Sequence, residues 1–189
     1  MKESAAAKIA KAAHGKQEYG PGVPYWQHLE QVALILECFG VTDDDLKCAA
    51  WLHDVLEDTE QSPMGLLDAG VPVYVLALID AVTDQPGHSR EERKARTYPR
   101  IARIPDAVIL KLADRIANVE ACITKKDISR GTMYRKEQQA FHYALCDQSD
   151  SRSYPMWEYL ASLIPQLPAL PTSEASSEID SEAAEPTGL

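Results

Sequence analysis

Residues 49–59 read Ala-Ala-Trp-Leu-His-Asp-Val-Leu-Glu-Asp-Thr. An apolar helical stretch (Leu46, Ala49, Ala50, Leu52) runs straight into a His-Asp pair and then into two further acids, Glu57 and Asp58. His28 upstream and Asp114 downstream complete a set of four metal-capable side chains, His28, His53, Asp54 and Asp114, from three separated segments. Two imidazoles and two carboxylates suit a divalent ion that keeps coordination positions open for water and substrate. Such an ion can make water acidic and neutralise charge on a phosphoryl group, so the set points to hydrolysis of a phosphate ester.

Helical periodicity governs the chain around this stretch. Residues 4–14 form an Ala-rich amphipathic helix, and Gly15 to Pro24, with three glycines and two prolines, reads as a loop. From Trp26 to Phe39 the apolar residues Leu29, Val32, Ala33, Leu36 and Phe39 follow the 3.6-residue period, and Gly40 ends the run. Thr42 or Asp43 can cap the helix that leads to His53. Further helices are predicted at 63–69, 72–82, 89–103, 105–122, 132–146 and 154–164, with period-two alternation only in the brief Val71 to Val75 stretch. The fold class is all-α: one helical bundle over residues 1–165, with a disordered Ser-, Glu- and Pro-rich tail at 166–189.

Spacing aims the candidate ligands inward. His28 lies four residues before Val32 and eight before Leu36, on the inner edge of its helix. On a continuous helix His53 and Asp54 stand about 100° apart, and Glu57 and Asp58 stack one turn beyond them. Asp114 sits inside the apolar run Val108, Ile109, Leu110, Leu112, Ala113, Ile116, where a carboxylate is costly unless it is paired or bound to metal. Taken singly these residues have bland readings too, as a hydrogen-bonded histidine, an Asp114–Arg115 ion pair or a solvated helix end. Only as an ordered set do they point to one site.

Composition limits the function classes. The 189 residues carry a net charge of −10, which argues against nonspecific nucleic-acid binding. Between Pro171 and Leu189 there are five acids and no Lys or Arg, so half of that charge belongs to the tail. The longest apolar runs, such as Val73 to Ile79, fall well short of a membrane span, and the first turn does not read as a secretory leader. Cys38, Cys48, Cys122 and Cys146 are widely spaced without a C-x-x-C pair, and are expected as reduced, mostly buried packing residues of a cytoplasmic protein.

In the order His28, His53-Asp54, Asp114 the chain resembles the HD superfamily of metal-dependent phosphohydrolases. More narrowly, "AAWLHDVLEDT" and "VILKLADRIANV" resemble the hydrolase domain of RelA/SpoT proteins and the small alarmone hydrolases. "AAHGKQ", "GVPYWQH" and "AVTDQPGHSREERKAR" are similar to the stretches around those motifs, and the resemblance covers about residues 5–122. It implies manganese-dependent removal of the 3′-pyrophosphate of guanosine tetra- or pentaphosphate. It also implies metal binding by His28, His53, Asp54 and Asp114, with Glu57 and Asp58 positioning or deprotonating the attacking water and Asn118 near the nucleoside. Lys111 and Arg93, with Lys94, could balance phosphate charge; helix-surface pairing with Glu91 and Glu92 is the plain alternative. The chain departs from the family at Tyr19-Gly20, where an Arg-Lys pair is usual and the Arg stacks on guanine. Tyr19 could stack on a base in its place. Leu29 follows His28 where the family has proline, and Ala117 precedes Asn118 where it has histidine. Two other expectations stand beside the alarmone reading: an HD phosphohydrolase for another nucleotide, such as a deoxynucleoside monophosphate, and a nucleotide-binding regulator without turnover.

Overall fold

Capping residues and the left-handed turns that follow several helices set the element boundaries in the computed structural model, which describes residues 1–147 and 150–169. Among the described residues ten helices run in order: α1 (Glu3–His14), α2 (Trp26–Cys38), α3 (Asp44–Leu52), α4 (Val55–Asp58), α5 (Pro63–Asp68), α6 (Val73–Val82), α7 (Arg90–Ile101), α8 (Pro105–Lys125), α9 (Ile128–Leu145) and α10 (Tyr154–Leu163). Asp43 caps α3 by accepting the Leu46 N–H, Ser62 caps α5, and Ser89 caps α7 by accepting the Glu92 N–H. A 3₁₀ turn at Ile164–Gln166 closes the described chain.

The centre of the bundle is α8, whose 21 residues bury twelve side chains, among them Leu110, Leu112, Ile116 and Val119. Helices α2, α3, α6, α9 and α10 all pack on it. Burial of each such Leu or Ile contributes about 1.5–3 kcal/mol, so the apolar run that looks inhospitable to Asp114 is also what holds α8 in place. Helix α1 packs on α3 through Ala6 and Ala10, whose small side chains let the two helices approach.

The all-α reading holds, with four local differences. Gly15 to Pro24 is not only a loop: β1 (Glu18–Gly20) and β2 (Val23–Pro24) pair antiparallel around Gly22, which takes a φ of 72°. The helix through His53 is not continuous, since α3 stops at Leu52 and Asp54 is the N-cap of α4. Helix α8 runs three residues past 122, because Lys126 adopts the left-handed conformation and the Cys122 carbonyl is met by the Asp127 N–H. Helix α9 begins four residues before 132, capped by Asp127, and carries Gly131 in its first turn. A Cβ at Gly131 would lie 3.0 Å from the Pro168 carbonyl oxygen, so glycine here is a matter of close packing.

That contact also moves the edge of the folded body. Leu167 is buried and accepts a hydrogen bond from Arg135, so packing continues past the expected boundary at 165. Residues 170–189, where most of the expected disordered tail falls, lie outside the described residues. Cys48 and Cys122 are buried and Cys146 is half-buried, whereas Cys38 is exposed; all four are free thiols. Among the described residues no helix is long and apolar enough to cross a membrane.

Candidate metal centre

Two helices and one turn deliver the candidate ligands to a common point. His28 comes from the first turn of α2, His53 and Asp54 from the turn between α3 and α4, and Asp114 from the middle of α8. His28, His53 and Asp114 are buried and offer donor atoms that all lie within 4.8 Å of one another. Asp54 stands beside them, with Oδ2 3.2 Å from His53 Nε2 and 3.7 Å from His28 Nε2. Asp114 Oδ1 is 3.3 Å from His28 Nε2 and 3.7 Å from His53 Nε2. Neighbouring donors around a divalent transition ion bound at about 2.2 Å are about 3 Å apart, so the His28, His53 and Asp114 atoms are close enough for one ion, with Asp54 at its edge on the side of the two imidazoles.

The hydrogen bonding fits a cation as well. His53 Nδ1 bonds the Ala50 carbonyl at 2.8 Å, so this nitrogen carries the proton and Nε2 is left as the donor to a metal. Nε2 itself is buried without a hydrogen-bond partner while facing two carboxylates. A lone pair set against carboxylate oxygens is repulsive unless positive charge lies between them. The electrostatics agree in sign. Burial pulls the His53 imidazole down, but Asp54 and Asp114 push it up to about 10. Burial raises Asp114 and Asp54, yet Lys111 and the imidazoles hold the first, and His53 the second, below the usual carboxylate range. Lys111 is itself tied to Asp114 Oδ2 at 2.7 Å.

The acid pair differs in its surroundings. Glu57 Oε2 accepts the backbone N–H of Asp84 at 3.1 Å, and burial pushes its carboxyl up, partly offset by that N–H. Asp58 meets the Tyr25 hydroxyl at 2.7 Å, and the same hydroxyl lies 2.7 Å from Asp54 Oδ2. Tyr25 therefore bridges a candidate ligand and a candidate water-handling acid. Sequence reading missed it, although its position three residues before His28 places both on one helix face.

The expected substrate contacts fall in several places. Lys111 is at the centre of the site. Arg93 leans on Asp84 at 3.7 Å, and Lys94 is buried with its ammonium 2.8 Å from Asp84 Oδ1 and 2.9 Å from Oδ2; neither pairs with Glu91 or Glu92. Asp84 thus ties the basic face of α7 to Glu57, a role that no spacing signalled because it sits in a loop. Asn118 donates Nδ2 to Asp114 Oδ1 at 2.5 Å and accepts the Tyr19 hydroxyl at 2.8 Å. Tyr19 stacks on His28 rather than projecting away from it. Beside these rings opens a cleft of about 400 Å³ lined by Tyr19, Gln31, Ala117, Glu120 and Lys125.

Comparison with known proteins gives this arrangement a context. The family described as HD domain matches residues 6–143. A guanosine-3′,5′-bis(diphosphate) 3′-pyrophosphohydrolase of Aquifex aeolicus is 32% identical over 135 residues, which is 67% of this chain and 19% of that protein. The Drosophila melanogaster pyrophosphohydrolase MESH1 is 35% identical over 98 residues, 51% of this chain and 54% of the relative. The chain thus spans about a fifth of the first relative and about half of the second. A solved structure of a metazoan ortholog of SpoT that hydrolyzes ppGpp superposes with a TM-score of 0.70 at 25% identity, covering 87% of this chain and 94% of that one.

Proposed function

The chain belongs to the HD-domain family, and from that premise we propose that it hydrolyses the 3′-pyrophosphate of guanosine tetra- and pentaphosphate in a metal-dependent reaction. The observation that carries the reading is the buried cluster of His28, His53 and Asp114 donors, with Asp54 against His53 and the raised Glu57 carboxyl beside it. Relatives that share the set's sequence context are named for this reaction.

His28, His53, Asp54 and Asp114 would hold a divalent ion, manganese by preference, which would supply Lewis acidity toward the phosphoryl oxygens and the attacking water. Glu57 takes the proton from that water, a role suited to a carboxyl that burial raises above its ordinary value. Asp58, held by the Tyr25 hydroxyl, orients the water. The water oxygen adds to the phosphorus bound to the ribose 3′-oxygen, the bond between them breaks, and the 3′-oxygen leaves with a proton. The products are GDP or GTP and pyrophosphate. Lys111, with Arg93 and Lys94 on the neighbouring helix, offsets the negative charge that accumulates on the phosphates. Removal of the alarmone would give the protein a place in the stringent response in the cytoplasm.

A second reading, hydrolysis of a different nucleotide such as a deoxynucleoside monophosphate, is favoured by one observation: Tyr19, in the position of the family's base-stacking arginine, is engaged with His28. A panel of nucleotides incubated with manganese-loaded protein and resolved by ion-exchange chromatography separates the two. GDP and pyrophosphate from guanosine tetraphosphate support the first reading. Inorganic phosphate from a deoxynucleoside monophosphate, with the tetraphosphate untouched, supports the second.

A further inference from the structure

His53 is oriented by a hydrogen bond from its Nδ1, but no hydrogen bond to His28 Nδ1 forms among the described residues. The His28 ring is instead confined by aromatic contacts. Tyr19 lies parallel to it, with centroids 4.6 Å and planes 2° apart, and Tyr25 meets it edge-on at 5.9 Å. The Tyr19 hydroxyl reaches across to α8 and donates to Asn118 Oδ1 at 2.8 Å. That bond fixes the amide so that Nδ2 points at Asp114, bonding its carboxylate Oδ1 at 2.5 Å and its carbonyl at 2.9 Å. One side chain of the hairpin therefore touches one candidate ligand through its face and a second through a single amide, on two different helices.

Resting on the reading of the site as a metal centre, we infer that Tyr19 is a positioning residue for that centre, setting the plane of His28 and the orientation of Asp114, and not a platform on which the substrate's base stacks. An imidazole donates its lone pair in the ring plane, so a tilt of the His28 ring misdirects Nε2. The stacked tyrosine resists that tilt where a hydrogen bond does so for His53. One face of Tyr19 is spent on His28, and the Lys125 ammonium stands over the ring 4.8 Å from its centroid, so no face of the ring is left clear for a base.

The test is manganese affinity of the metal-free protein, by titration against a competing chelator, for the wild type, Tyr19→Phe and Tyr19→Leu. Loss of a group that orients a ligand typically weakens metal binding about 10–100-fold, which is the rise in Kd expected for Tyr19→Leu. Tyr19→Phe keeps the stack, loses only the hydroxyl, and should show a smaller rise; it also reports on the site if the leucine variant folds poorly. At saturating manganese the KM for guanosine tetraphosphate should stay within about threefold of wild type, because no ground-state contact to the base has been removed. A manganese Kd within about twofold of wild type in Tyr19→Leu, or a KM raised about tenfold at saturating metal, overturns the inference. The affinity arm needs no turnover. A protein that proves inactive on guanosine tetraphosphate would refute the proposed substrate, and the manganese Kd values would still decide the role of Tyr19.

Discussion

The backbone N–H of Asp84 donates to Glu57 Oε2 at 3.1 Å, joining the end of α4 to the loop that follows α6. The acid beside the candidate ligands is thus held by a group 27 residues away, and its orientation depends on that loop. Replacing Glu57 with Gln keeps its size and an acceptor for the N–H but removes the base. We expect kcat to fall by about 100-fold or more, as for loss of a general base. Manganese affinity, measured by titration, should be nearly unchanged. Wild-type kcat in this variant would remove Glu57 from the chemistry.

Lys94 carries a pH prediction. Burial and the nearby Lys111 bring its ammonium down to about 8, even with Asp84 bonded to it. As pH rises through that value the ammonium loses its proton, the ion pair with Asp84 dissolves, and the loop that holds Glu57 loosens. Activity in kcat/KM should therefore decline above about pH 8. Lys94→Arg, which stays charged, should move that decline to higher pH. In stability the sign is opposite. A lysine depressed in the folded state binds fewer protons than in the unfolded chain, so its contribution to folding rises with pH from about 8 up to the ordinary lysine value. Identical alkaline limbs in wild type and variant would dissociate Lys94 from the profile.

Asp54 tests the ligand set. Manganese at about 100 times its Kd should stabilise the wild type by about 2.7 kcal/mol through mass action alone. Asp54→Ala should lose most of that metal-dependent rise in Tm and with it the activity. A variant that retained one bound ion and full turnover would refute the site.

Leu167 tests the extent of the folded body. It is 3% exposed against the bundle, beyond the boundary that composition suggested. Leu167→Ala should cost about 2–5 kcal/mol in chemical denaturation, the range for a buried leucine. A cost near zero would show that the segment after α10 contributes nothing to the fold.

The bundle was legible from patterns such as the 3.6-residue apolar run of α2, ended by Gly40, and the cap of α3 at Asp43. His53 and Asp54 could be paired with His28 and Asp114 because the motif is dense in metal-capable side chains and Asp114 interrupts an apolar run. What escaped lay in short or irregular pieces. A hairpin of three and two residues has too few positions to show alternation, so Tyr19 could not be placed over the ligands. The stop at Leu52 has no proline or glycine to announce it; the turn is set by where His53 and Asp54 must point. Gly131 lay outside the helix expected at 132–146, whereas it sits in the first turn of α9 as the contact that admits Pro168. The partners of Lys94 and Arg93 depended on the path of the loop at Asp84, which no local pattern encodes.

The most direct measurement strips the protein of metal with a chelator, returns manganese in known fractions, and follows GDP release from guanosine tetraphosphate at each step. A metal-dependent hydrolase of this kind gives no GDP without metal, a rise that saturates at one ion per chain, and one pyrophosphate for each GDP. GDP formation that is independent of added manganese, or its absence from fully loaded protein, would contradict the proposed reaction.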